Sequence, residues 1–139
     1  MVGTTDDPCS DLRYHALLAQ SDFAVKVLPS FRPDPAVNIH KPGFREYIAK
    51  LSATCGMEIG SVSDVCKALT MRIEFFDKHG CRASDHGLDY IMHREATEAE
   101  LDAVLAKALA GNAVTKEEAE AYQTAVVLHC GREYARLGW

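Results

Sequence analysis

Residues 61–80 place the tightest limit on what this chain can fold into. Val62, Val65, Cys66, Leu69, Ile73 and Phe76 recur at three- and four-residue spacing, which lines them up on one face of a single helix. Ser61 and Asp64 stand at capping-box spacing at its start, and His79 and Gly80 suit its stop. A helix this long with one apolar stripe has to be covered by other elements. The rest of the chain supplies them. Thr97-x-x-Glu100 opens a helix to about Leu109, with Gly111 as its stop. Thr115-x-x-Glu118 opens a longer one to about Leu137, ended by Gly138. Phe44, Ile48 and Leu51 share a face of a helix that stops by Gly56. Asp7 as cap and Pro8 at the first position predict a short helix from about Pro8 to Gln20, through Leu12, His15 and Leu18.

Strand-like segments are fewer. Val2–Thr5 is short and β-compatible, and Phe23–Leu28 reads as a buried strand through Val25, Val27 and Leu28. Cys81–Asp85 is brief. Pro29, Pro33, Pro35 and Pro42 force an extended loop between the second strand and the helix at Phe44. Strands alternating with helices argue for α/β with parallel pairing. About three short strands against five helices make a lopsided domain, which hints at part of something larger.

Length and composition narrow the function classes. At 139 residues, 47% hydrophobic and 25% charged, the chain is one ordinary domain with a real core rather than a disordered or fibrous segment. No apolar run is long enough for a transmembrane helix. The polar, acidic start carries no secretory signal. A net charge of −5 argues against a nucleic-acid surface. Five cysteines without a Cys-x-x-Cys favour a reduced cytosol over a disulfide framework or zinc ribbon. The remaining histidines, His15, His40, His93 and His129, are scattered and read as surface or packing residues. Met57, Met71 and Met92 read as core fillers.

The chain has no P-loop, no Gly-x-Gly-x-x-Gly, no Gly-x-Ser-x-Gly and no His-Glu-x-x-His. Two strand ends stand out. Arg32, between Phe31 and Pro33, is placed like an anion clamp, because its planar fork fits a carboxylate or phosphate. The plain alternative is an Arg32 that pairs with Asp34 or faces solvent. Asp85 and His86 follow the brief third strand and suit a general base, a metal ligand or a hydrogen-bonded pair. Gly87 beside them permits an unusual backbone angle. Ser84, Asp85 and Gly87 are equally the residues of a plain turn. Asp7 reads as a helix cap rather than a catalyst.

Three segments in order carry a resemblance: Gly3-Thr4-Thr5-Asp6-Asp7-Pro8, Lys26-Val27-Leu28-Pro29-Ser30-Phe31-Arg32-Pro33-Asp34, and Gly80-Cys81-Arg82-Ala83-Ser84-Asp85-His86-Gly87-Leu88-Asp89. Together they resemble the middle of the uronate isomerases (glucuronate isomerases) of the amidohydrolase superfamily, and Ala125–Trp139 is similar to the helix leading into that family's next strand. The resemblance implies a distorted (β/α)8 barrel with helical insertions. It makes 1–139 a single incomplete segment of that barrel, with 44–80 a helical insertion. It implies an aldose–ketose isomerase acting on D-glucuronate/D-fructuronate and D-galacturonate/D-tagaturonate, through proton transfer between C2 and C1. It places Arg32, Asp85 and His86 at the hexuronate, with Arg32 at the carboxylate or nearby hydroxyls. It implies a cytoplasmic enzyme, with a homo-oligomer admitted for the full-length form. It also implies a divalent metal, commonly zinc, held by a His-x-His pair and an Asp near the first and last strands. This chain contains no His-x-His, so those ligands and the proton-moving base belong to parts not present here. The second reading is an independently folded, non-catalytic α/β domain that binds a partner or an acidic sugar.

These 139 residues alone are therefore expected not to isomerise glucuronate, with or without added zinc. Metal-dependent turnover by the rigorously purified chain would overturn this.

Overall fold

A computed structural model describes all 139 residues. It is an α/β structure in which a very small parallel sheet sits beside a stack of helices. β1 (Val2–Gly3) pairs in parallel with β2 (Val27–Leu28), in the register Val2 to Val27 and Gly3 to Leu28. Beyond them, isolated parallel bridges join Asp6 to Phe31 and Phe31 to Ser84. The helices are α1 (Arg13–Ala19), α2 (Asp34–Val37), α3 (Phe44–Cys55), α4 (Val62–Lys78), α5 (Glu98–Leu109) and α6 (Lys116–Leu137).

The helix starts follow the sequence closely. Ser61 with Asp64, Thr97 with Glu100 and Thr115 with Glu118 each close a full capping box, satisfying two otherwise orphaned N–H groups apiece. α3 ends at Gly56 and α6 at Gly138, both in the left-handed conformation that glycine adopts at least cost. The stripe on α4 is the core: Val65, Leu69, Ile73 and Phe76 are fully buried. α3, α5 and α6 pack around it. Two polar ties cross the stack. Tyr122 donates its hydroxyl to the Ala36 carbonyl (3.0 Å), and Val62 N–H donates to Asp102 Oδ1 (2.8 Å).

Several expectations need correction. The helix from Pro8 begins only at Arg13. Arg72 donates to the Pro8 and Ser10 carbonyls (2.6 and 2.8 Å), so those groups are engaged outside any helix. Leu12, buried, adopts φ 52°, which breaks the helical path. Asp7 instead closes a tight turn by accepting the Cys9 N–H (2.8 Å). The strand from Phe23 shrinks to Val27–Leu28. Pairing starts at Lys26, whose carbonyl takes the Val2 N–H (2.8 Å), and Phe23 and Val25 are exposed. The proline-rich loop contains α2, because Pro35 sits where a missing N–H costs a helix nothing. Met71 is exposed rather than core, on the outer side of α4.

The third strand is reduced to the single bridge at Ser84. α1 buries none of its residues, and Tyr14 and Leu17 lie open to solvent. No disulfide forms among the five cysteines, and no helix is long and apolar enough to cross a membrane.

Phe76→Ala should destabilise the chain by about 3–5 kcal/mol in urea denaturation, because it empties a fully enclosed site. Met71→Ala should change stability by no more than about 0.5 kcal/mol. Comparable losses would mean that the core is drawn on the wrong face of α4.

Candidate functional site

Three parallel segments end side by side. Asp6 N–H donates to Ser30 O (2.9 Å) and Arg32 N–H to Asp6 O (3.0 Å). On the other side, Phe31 N–H donates to Ala83 O (3.1 Å) and Asp85 N–H to Phe31 O (2.9 Å). Segment 30–32 is thus the middle of three, bonded through alternate residues to 6 and to 83–85. The two segments singled out in the sequence are neighbours, and Thr4–Asp7 joins them. The ends of parallel strands are where α/β folds gather binding groups.

Arg32 does not stand free. Its Nε donates to Asp34 Oδ2 at 2.7 Å, and its Nη1 lies 3.3 Å from Asp85 Oδ2. The hydrogen bond and charge of Asp34, followed by the charge of Asp85, raise the guanidinium above its ordinary pKa. The pairing with Asp34 foreseen as the plain alternative is therefore present, and Asp85 adds a second carboxylate. One cation between two carboxylates leaves the cluster with a formal charge of −1. The two acids are held differently. Asp34 is largely buried and also accepts the Gly87 N–H (3.0 Å to Oδ2). Asp85 is 42% exposed, and its other contact is the Thr5 hydroxyl at 3.4 Å. Asp85 is the looser partner.

What Gly87 offers here is space and not an unusual backbone angle. It is absent from the positive-φ glycines of this chain. A Cβ at this position would lie 2.5 Å from Arg32 Nη2 and 2.8 Å from Asp34 Oδ2. The expected unusual angle is thus replaced by a close approach that lets the backbone donate to Asp34.

His86 turns toward the helices. Its Nε2 lies 3.3 Å from the Tyr134 hydroxyl, and its Nδ1 is buried without a hydrogen-bond partner. Burial, reinforced by Arg32 and opposed by Asp34 and Asp85, pulls its pKa below the usual histidine value and favours the neutral ring. Tyr134 lies 48 residues from His86 on an unremarkable helical stretch, and no local motif points to it. Beside this cluster, Thr4 donates to Asp6 Oδ2 (2.5 Å) and meets His15 Nε2 at 2.8 Å. His15 is therefore tied to the strand ends rather than being a simple surface residue.

No group of three or more His, Cys, Asp or Glu side chains gathers closely enough to hold a metal ion. The acids at the strand ends are spent on Arg32 and on a backbone N–H. The residues present here do not form a metal site on their own. A groove of about 620 Å³ lies elsewhere, along α4 and α6 beside Cys66, Met71 and His129.

The glucuronate isomerase family model matches residues 1–139. A uronate isomerase of Lachnoclostridium phytofermentans is 47% identical across 99% of this chain, which covers 30% of that relative. The crystal structure of a uronate isomerase from Thermotoga maritima superposes with a TM-score of 0.95 at 33% identity, over 99% of this chain and 31% of that one. A glucuronate isomerase structure from Caulobacter crescentus shares the fold, with a TM-score of 0.84 at 22% identity over 96% of this chain and 28% of that one. The chain thus spans about 30% of the length of these relatives.

Gly87→Ala should leave the unfolding midpoint nearly unchanged, since the flexible end of Arg32 can swing aside. It should release Arg32 from Asp34, which NMR would read as loss of the protected Arg32 Nε–H signal. A retained signal would show that the close approach is not needed.

Proposed function

We propose that this chain, which belongs to the glucuronate isomerase family, is a segment of an aldose–ketose isomerase. The reaction would interconvert D-glucuronate with D-fructuronate and D-galacturonate with D-tagaturonate. The observation that carries this reading is the meeting of Thr4–Asp7, Phe31–Arg32 and Ser84–His86 at the C-terminal ends of parallel segments. In a (β/α)8 barrel, that end of the strands is where substrate binds. On this reading 1–139 is a slice of such a barrel from the amidohydrolase superfamily, and 44–80 is a helical insertion in it. The bare face of α1 and the very short strands fit a slice better than a finished domain.

The charge balance at Arg32 constrains how a uronate would be held. A carboxylate arriving at a cluster that is already negative meets repulsion unless one acid gives way. Asp34 is fixed by the Gly87 N–H and by burial, so Asp85 is the group that yields. Its loose contacts to Arg32 and Thr5 are exchanged for a sugar hydroxyl, and the freed face of the guanidinium takes the substrate carboxylate. Arg32 then binds and orients the uronate, Asp85 accepts from a hydroxyl, and His86 lines the same mouth. The proton shuttle between C2 and C1 and the divalent metal are assigned to the remainder of the longer enzyme, which works in the cytoplasm.

The test is steady-state isomerisation by the full-length protein that contains this chain. Arg32→Ala should lower kcat/KM for glucuronate by about a hundredfold or more, the scale of losing a charge-assisted contact of roughly 3 kcal/mol. Arg136→Ala removes an exposed guanidinium that pairs with Glu74 and Glu133. It should change kcat/KM less than about twofold. Equal effects would place the carboxylate clamp elsewhere. Absence of isomerase activity with intact binding of a partner or an acidic sugar would favour the non-catalytic binding domain.

A further inference from the structure

Tyr134 is a helical side chain that reaches two of the three strand ends carrying the candidate site, at Phe31 and at His86. Its ring stacks on Trp139 (centroids 5.3 Å apart, planes 5° apart) and meets Phe31 edge-on (6.2 Å, 72°). Trp139 is held in turn by donating its indole N–H to Asp77 Oδ1 (2.8 Å) and by packing against Phe31 (6.3 Å). The C-terminal glycine of α6, Gly138, turns the chain so that Trp139 folds back over Tyr134. The phenol is consequently fixed in position, and its hydroxyl lies 3.3 Å from His86 Nε2.

A half-buried phenol needs an acceptor, and a neutral imidazole offers one lone pair. If the Tyr134 O–H donates to Nε2, the ring proton resides on Nδ1. The other nitrogen of His86, Nδ1, is buried and unpaired within this chain. The charges that act on the ring are those of Asp34, Asp85 and Arg32, all on the strand-end side. Tyr134 approaches from the helix side and carries no charge.

We infer that Tyr134 is a positioning residue for His86: by donating to Nε2 it holds the ring in one orientation and in the Nδ1–H tautomer at the strand ends. His86 then enters the site as a neutral ring of fixed orientation and not as a base, because Tyr134 occupies Nε2 and this chain's own atoms enclose Nδ1. This inference rests on the reading of His86 as a substrate-site residue, and it extends that site to a residue on α6.

The experiment is a double-mutant cycle in the full-length isomerase, reading kcat/KM for glucuronate in wild type, Tyr134→Phe, His86→Ala and the double variant. Phenylalanine keeps the stacked ring and removes only the hydroxyl. Tyr134→Phe should lower kcat/KM by about tenfold, and by less than about twofold once His86 is alanine, as expected of two groups acting as one unit. Effects that multiply independently would overturn the inference. His86→Ala without effect would overturn the site reading instead. The positioning claim would then be decided by the ¹⁵N imidazole shifts of His86 in the full-length protein. A Nδ1–H tautomer in wild type that becomes mixed in Tyr134→Phe supports it, and a Nε2–H tautomer in wild type overturns it. The wild-type spectrum alone decides the tautomer if the variant does not fold.

Discussion

The burial of Phe31 is the contact on which the rest of this structure depends. Its backbone joins two neighbours at once, accepting from Asp85 and donating to Ala83 while the residues on either side of it bond to Asp6. Its ring is fully enclosed by Phe76 of α4 at 5.0 Å and 89°, with Tyr134 and Trp139 around it. One residue therefore locks the middle strand end to both flanking ones and anchors all three to the helical stack. Edge-to-face aromatic packing adds directional preference to the large apolar area removed from water. Because side chains alternate along an extended segment, fixing Phe31 inward sends its neighbour Arg32 to the opposite face. The core contact and the candidate site are consequently consecutive residues.

On that opposite face the electrostatics are closed within the chain. Arg32 is shared by a held acid and a loose one, and the backbone at Gly87 comes close enough to donate to the held acid. Such an arrangement keeps a guanidinium in place without an external anion, and it leaves one carboxylate able to move. His86 is treated differently. It is drawn under the aromatic cluster, favoured as a neutral ring, and tied to a helix residue rather than to the neighbouring acids. A pair of adjacent residues, Asp85 and His86, thus divides between an exposed acid and a half-buried imidazole.

Much of this was legible in the residues. The capping boxes at Ser61, Thr97 and Thr115 are local devices, so their sequence spacing is sufficient to predict them. The apolar stripe on α4 is similarly local in period, and its buried face is the one the spacing indicates. The three segments Gly3–Pro8, Lys26–Asp34 and Gly80–Asp89 carried the family resemblance, which the match over residues 1–139 bears out. The failures share one cause, which is that a distant group decided a local question. Arg72 captures the carbonyls that a helix at Pro8 would have used. Of the expected strand Phe23–Leu28, only Lys26 to Leu28 bond to the first strand, and Phe23 and Val25 are exposed. Asp7, a good cap by type, closes a turn instead.

What the sequence determined by itself is helices α3, α4, α5 and α6 with their starts and stops, the face of α4 that is buried, and the family to which the chain belongs. These depend on interactions within a few residues or on the order of motifs along the chain. Only the tertiary structure decided that Arg32 is shared between Asp34 and Asp85, that Gly87 is there for space, and that Tyr134 reaches His86. Those contacts join residues as far as 53 positions apart. No local period or propensity encodes which side chains meet when three strand ends and a helix terminus pack around one phenylalanine.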